Sequence, residues 1–244
     1  MKRLPRSMRL YLALCGAGIL GAWAGLLLGW DSVSYLPWVS FAVALVGSYA
    51  INAAWALSFG RLKALKGIAS VLLIGVVSLL INRFTGFPYG DIPHDRFELG
   101  GVSLLWPLQW LVLVGSALLV GYRMKAGWKA ISVGPLLAGI IAFALQWAQS
   151  DGNALLYSGG VIVAGVVASV TAWAHARSKK TRKRSVSIGL WLIAGFCGVH
   201  GGWSDPTHIS SWMLMAIAIL LFIAGMPGMK KSNQETQGET KLAA

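Results

Sequence analysis

Apolar runs of about 20 residues, separated by short polar connectors, fill the chain from Leu10 to Met226. That is the length a helix needs to cross the hydrocarbon core of a bilayer. Eight spans are predicted, near Leu10–Trp30, Tyr35–Phe59, Gly67–Ile81, Val102–Tyr122, Ala130–Ala148, Leu155–Ala174, Val186–Trp203 and Ile209–Met226. They make an all-α, polytopic membrane helix bundle over residues 1–229, with a polar tail over 230–244. The first run follows Lys2, Arg3, Arg6 and Arg9 but is long for a signal peptide and has no small-x-small cleavage pattern after it, so it is read as a retained span. Pro107 and Pro135 fall inside predicted spans, where either helix can kink.

The connectors give the bundle a direction. With eight crossings, Arg83 and Arg96 fall on one side and the rest of the 21 basic residues on the other, including the run from Arg177 to Arg184 and the tail lysines Lys230, Lys231 and Lys241. Lys and Arg are retained on the cytoplasmic face, so the pattern predicts a cytoplasmic (inner) membrane protein with both termini cytoplasmic. Asp31, Asp91, Asp95, Glu98, Asp151 and Asp205 lie on the outer side, and Glu235 and Glu239 lie in the tail.

Composition agrees with this picture. The chain is 56% hydrophobic and 12% charged, with a mean hydropathy of +0.66, too little polar surface to cover a soluble globule of 244 residues. The net charge of +13 comes from clusters between apolar runs, which points to anionic lipid headgroups as partner and away from nucleic acid. Cys15 and Cys197 sit within apolar runs and read as small hydrophobes, not as a disulfide or metal pair. Asn52, Gln109 and Gln146 are the notable polar side chains within the spans. A charge at mid-membrane costs roughly 2.5–3.5 kcal/mol on insertion scales, so the lack of one there argues against an ion-coupled transporter and leaves transport of an uncharged solute open. The glycines and alanines read as sites of close helix packing.

One outer stretch departs from the pattern: RFTGFPYGDIPHDRFELGG, Arg83 to Gly101, is aromatic at one end and acidic at the other. It reads either as ordinary Gly- and Pro-punctuated loop or as a segment folding carboxylates back beside apolar rings. A second outer cluster, GGWSDPTHISSW, Gly201 to Trp212, repeats the order aromatic, Asp, Pro, His after the seventh span, a weak sign of a duplicated four-helix unit. The two Asp and two His match no established ligand spacing, and no metal site is assigned.

TGFPYG, Thr85 to Gly90, followed by GVSLLWPLQW, Gly101 to Trp110, resembles the membrane-bound carotenoid biosynthesis family that includes the carotenoid 1,2-hydratases. The match covers about 25 residues; Ser103 stands where the family pattern has proline, Gln109 where it has alanine, and Asp91-Ile-Pro-His94 where it has tyrosines. The resemblance implies an acyclic carotenoid substrate and the addition of water to a terminal isoprenoid double bond, a lyase-class reaction with no cofactor. Such hydration needs a proton donor, a tolerated tertiary cation and a water. Asp91, Asp95 and Glu98 are the candidate acids, Asp91 foremost because it adjoins the aromatic segment, with His94 to orient water or relay the proton. Asp91 capping the turn at Pro93 is the competing reading. Phe84, Phe87, Tyr89, Trp106 and Trp110 are the candidate substrate-binding residues, whose rings could face the cation. The structural alternative for them is an interfacial aromatic belt, favoured for Trp106. A non-catalytic protein that binds an apolar ligand or partner through its outer loops is the other function considered. Oligomeric state is not fixed by these features.

Overall fold

A computed structural model describes residues 5–28, 35–90, 97–99, 102–124, 127–149, 154–176, 182–203 and 209–242. They form eight helices: α1 (Arg6–Leu28), α2 (Leu36–Phe59), α3 (Arg61–Thr85), α4 (Leu105–Gly121), α5 (Gly127–Gln149), α6 (Ala154–Ala176), α7 (Lys183–Trp203) and α8 (Ile209–Leu242). All eight coincide with predicted spans. Two short strands, β1 (Glu98–Leu99) and β2 (Val102–Ser103), pair antiparallel between α3 and α4, Glu98 opposite Ser103 and Leu99 opposite Val102.

Seven of the helices are long and apolar enough to cross a membrane. The exception, α4, has 17 residues, or about 25 Å at 1.5 Å per residue, short of a hydrocarbon core of about 30 Å. Packing explains why a short helix suffices there. Every residue from Trp110 to Leu119 is buried, and α4 packs against α2, α3, α5 and α7, so it meets protein where the others meet lipid. Helix α7 is the most buried of the long helices and packs against α1, α2, α4, α5 and α8. Helices α4 and α7 therefore form the centre. A shift by four elements maps the α3–α6 contact onto α2–α7 and α1–α2 onto α5–α6, but α4–α7 onto α3–α8, which is not among the principal contacts.

Helix α3 begins at Arg61 and ends at Thr85, well beyond the predicted span of residues 67–81. Apolar content marks only the part of a helix inside hydrocarbon, whereas the backbone continues its ladder into the headgroup layer. Gly60 alone separates α2 from α3, and its φ of +85° is a conformation that side chains disfavour. At the other end Gly86, φ +69°, closes α3 with a left-handed cap, its N–H donating to the Asn82 carbonyl. Arg83, Phe84 and Thr85 consequently belong to the helix and not to an outer loop. Helix α4 starts at Leu105 because residues 102–103 are taken by β2; the Ser103 hydroxyl accepts the Trp106 N–H at 3.0 Å. Pro107 is the third residue of α4, where an N–H has no intrahelical partner, so it requires no kink. Pro135 lies inside α5 with α6 packed on its ring at Gly165. Helix α8 continues through the polar segment as far as Leu242.

A recurring device holds the helices together. Large aromatic side chains donate to backbone carbonyls of neighbouring helices: Trp55 to Gly115, Trp110 to Val71, Tyr11 to Leu192, Tyr122 to Ser169, and Trp191 to Phe222. A helical carbonyl already bonded along its own helix has a second lone pair, so these donors are satisfied without water. The rings lie against glycines. A Cβ on Gly67 would sit 2.5 Å from Trp55, one on Gly75 2.4 Å from Trp110, and one on Gly225 2.4 Å from Trp191. The small residues are thus packing sites, as the sequence predicts.

These contacts also fix which helix ends share a side. Arg182 at the start of α7 donates through its backbone to Ser58 near the end of α2, and the Trp55, Phe59 and Tyr122 rings meet where α2 and α4 end. At the opposite end Trp23 of α1 meets Trp212 of α8, and Phe97 packs on Trp38 and Phe41 of α2. Arg9, Arg61, Lys63, Arg123, Lys129, Lys183 and Arg184 belong to the first end.

Candidate functional site

The turn after α3 is built from TGFPYG and clamped to its own helix. Asn82 accepts the Tyr89 N–H at 2.7 Å and donates to the Gly90 carbonyl at 2.8 Å, while the Gly90 N–H donates to the Gly86 carbonyl at 2.9 Å. The Phe87–Pro88 peptide is cis, and Gly90 has a φ of +73°. The clamp turns Tyr89 inward. Its ring is fully buried and its hydroxyl lies 2.7 Å from that of Ser78. Burial pushes the Tyr89 phenol well above its ordinary value, against the opposing effect of the Ser78 hydrogen bond, so the hydroxyl keeps its proton.

Tyr89 meets the start of α4. Its ring centroid lies 4.9 Å from Trp106, 6.3 Å from Trp110 and 5.6 Å from Tyr157 of α6, and the two tryptophans stack with planes 15° apart. The Trp106 indole donates to the Tyr157 hydroxyl at 3.1 Å. The structure thus brings together three of the five predicted ring residues, Tyr89, Trp106 and Trp110, and separates the other two. Phe84 is 85% exposed and Phe87 58%, because they point away from the bundle where the turn packs inward. Trp106, favoured as an interfacial belt residue, is only 6% exposed; the rings facing outward near that end include Trp23, Tyr35, Trp38 and Trp212. Asp91, His94 and Asp95 lie outside the described residues, as does the side chain of Glu98, whose backbone pairs in β1.

Behind Trp106, Trp110 and Tyr157 lies a narrow cavity of about 50 Å³ whose polar wall is Gln109 of α4, Gln146 of α5 and His200 of α7. These three side chains come from three helices and are far apart in sequence, so no local motif announces them. The signal available was the polarity of Gln109 and Gln146 within apolar spans and a histidine close to the end of another. His200 is buried, its Nδ1 lies 2.9 Å from the Phe196 carbonyl and its Nε2 3.4 Å from Gln109 Nε2. A carbonyl only accepts, so Nδ1 carries the proton of that bond; Nε2 of the neutral ring is then the acceptor and faces the Gln109 amide as donor.

A larger, apolar groove of about 520 Å³ opens between α1 and α2, lined by Gly18, Gly21 and Gly25 on one side and Trp38 and Val39 on the other, with Trp203 of α7 at its wall. Asn52 lines a separate groove with Tyr49 and Arg61 toward the basic end. Among the described residues no three of His, Cys, Asp and Glu come together as a metal-binding group would require. Comparison with protein-family models, with curated proteins and with solved structures found no match.

Proposed function

We propose that this chain is a multi-pass protein of the cytoplasmic membrane, with both termini in the cytoplasm, that adds water to a terminal isoprenoid double bond of an acyclic carotenoid or related polyene. One observation carries the reading. The two segments that resemble the carotenoid biosynthesis family, TGFPYG and WPLQW, pack on one another through Tyr89, Trp106 and Trp110, and the second of them walls a cavity of water size with polar groups behind it.

Hydration needs aromatic surface beside space for a water, and this end of the bundle has both. The stacked indoles of Trp106 and Trp110 offer π faces to a tertiary cation, an attraction worth about 0.5–2 kcal/mol or more when water is excluded. The proton donor in this reading is a carboxyl of the acidic segment, Asp91, Asp95 or Glu98, that follows the clamped turn. Orientation rests on Arg9, Arg61, Lys63, Arg123, Lys129 and Lys183 sharing one end of the bundle, which the retention of basic residues assigns to the cytoplasm.

Expression in cells that accumulate an acyclic carotenoid, followed by pigment analysis, tests the proposal: a product heavier by one water is expected. Unchanged pigments with several acyclic substrates, while the protein is inserted and abundant, would overturn it. A second reading, binding of an apolar ligand without conversion, draws on the groove between α1 and α2. It predicts that polyene copurifies unaltered.

A further inference from the structure

We propose that the groove between α1, α2 and α3 at the basic end of the bundle seats one anionic phospholipid, its phosphate on Arg61 and an ester carbonyl on the Asn52 amide. The groove holds about 590 Å³, within the roughly 300–1,000 Å³ of sites that bury small ligands. Its walls are Pro5 ahead of α1, Tyr49, Asn52 and Ala56 of α2, and Arg61 and Leu65 of α3. Tyr49, Asn52 and Ala56 follow one another at intervals of three and four residues, so they form a single stripe along α2 that runs toward Arg61. The short side chain of Ala56 keeps that stripe hollow.

Charge selects the headgroup. Arg61 is exposed, as are Arg6, Arg9 and Lys66 at the same end, and α1, α2 and α3 contain no Asp or Glu to neutralise them. A phosphodiester supplies the counter-ion, and a guanidinium matches its paired oxygens. A headgroup that also carries an ammonium would set that charge among these cations, so the seat favours a net-negative lipid of the phosphatidylglycerol kind over phosphatidylcholine.

Depth selects a lipid over a free anion. Asn52 lies seven residues before the end of α2 at Phe59, about 10 Å at 1.5 Å per residue, which places its amide below the headgroup layer. It is half-buried on the groove wall, and among the described residues no side-chain hydrogen bond engages it. Hydrocarbon offers an amide no partner, whereas the ester carbonyl of a glycerophospholipid accepts from its N–H at that level. Arg61 lines the same groove, and its long flexible stem spans the remaining distance to the phosphate.

The test uses the full chain purified in detergent, with native mass spectrometry counting the lipids retained as phosphatidylglycerol, phosphatidylcholine or water-soluble glycerophosphate is added. One phosphatidylglycerol should stay bound per chain, with phosphatidylcholine held more weakly by about fivefold or more. Arg61→Gln should weaken retention about tenfold or more, the scale of a lost charge-assisted hydrogen bond, and Asn52→Leu about two- to tenfold, that of a neutral one. Lys129→Gln, which removes an equally exposed cation from the start of α5, should leave retention unchanged. Leucine suits a lipid-facing helix, so Asn52→Leu should unfold in lipid-free detergent at the unaltered midpoint, which separates lost binding from misfolding. Equal losses from Lys129→Gln and Arg61→Gln would reduce the site to diffuse attraction, and equal retention of phosphatidylcholine would reduce it to a groove that any lipid fills. Either result overturns the proposal, as does displacement of the lipid by glycerophosphate at like concentration, the mark of a site for the anion alone. Unchanged retention by Asn52→Leu would remove the carbonyl contact and with it the seat.

Discussion

Asn82 holds Tyr89 by the backbone: its amide oxygen accepts the Tyr89 N–H at 2.7 Å, and its nitrogen donates to the next carbonyl, that of Gly90, at 2.8 Å. One amide thus converts the end of a helix into a tight turn that drives a tyrosine ring into the bundle. Asn82→Ala should loosen the turn, losing about 0.5–1.5 kcal/mol for each of the two hydrogen bonds. Proteolysis within TGFPYG of detergent-solubilised protein would accelerate, with a lower midpoint of thermal unfolding. Unchanged cleavage would show that Tyr89 packing and the backbone hydrogen bond from Gly90 to Gly86 hold the turn without the Asn82 side chain.

Two adjacent glycines of α6 make a paired test of how the turn docks. A Cβ on Gly160 would lie 2.4 Å from the Pro88 carbonyl oxygen and 2.8 Å from the Tyr89 ring, whereas one on Gly159 meets nothing within 4 Å. Gly160→Ala should destabilise by about 1–3 kcal/mol, because a backbone atom cannot swing aside as a flexible side chain does. Gly159→Ala should be neutral or slightly stabilising, by up to about 1 kcal/mol. Thermal unfolding of the two variants side by side checks both expectations.

Sidedness is tested by cysteine labelling in a background lacking Cys15 and Cys197, which are free thiols buried in the bundle. Thr181→Cys should react with a membrane-impermeant reagent only after cells are opened, and Asp205→Cys in intact cells. The reverse pattern would invert the protein in the membrane.

The proton donor is tested by isosteric amides. Under the hydratase proposal, one of Asp91→Asn, Asp95→Asn and Glu98→Gln should abolish hydration and leave polyene binding intact, with Asp91→Asn the expected one. Full activity in all three single variants would exclude each as the indispensable acid.

Length, hydropathy and charge were enough to count the helices and to gather the basic residues at one end, because lipid imposes both through composition. A run of apolar residues has to satisfy its backbone internally wherever it crosses, and helix is the only local way to do so. Length and hydropathy therefore located all eight helices, but missed where α3 begins and ends, since a helix running into the headgroup layer needs no apolar residues there. They also gave no sign that α4 can be short, which follows from its being surrounded by protein. TGFPYG was legible as Gly- and Pro-punctuated loop, but its inward-facing ring was not. Whether Tyr89, Phe84 or Phe87 enters the bundle depends on Asn82, on the space left at Gly160 and on Ser78 one helical turn before Asn82. The meeting of Gln109, Gln146, Tyr157 and His200 depended wholly on tertiary structure. Each lies on a different helix, and only the packing of α4 and α7 at the centre brings the four to one cavity.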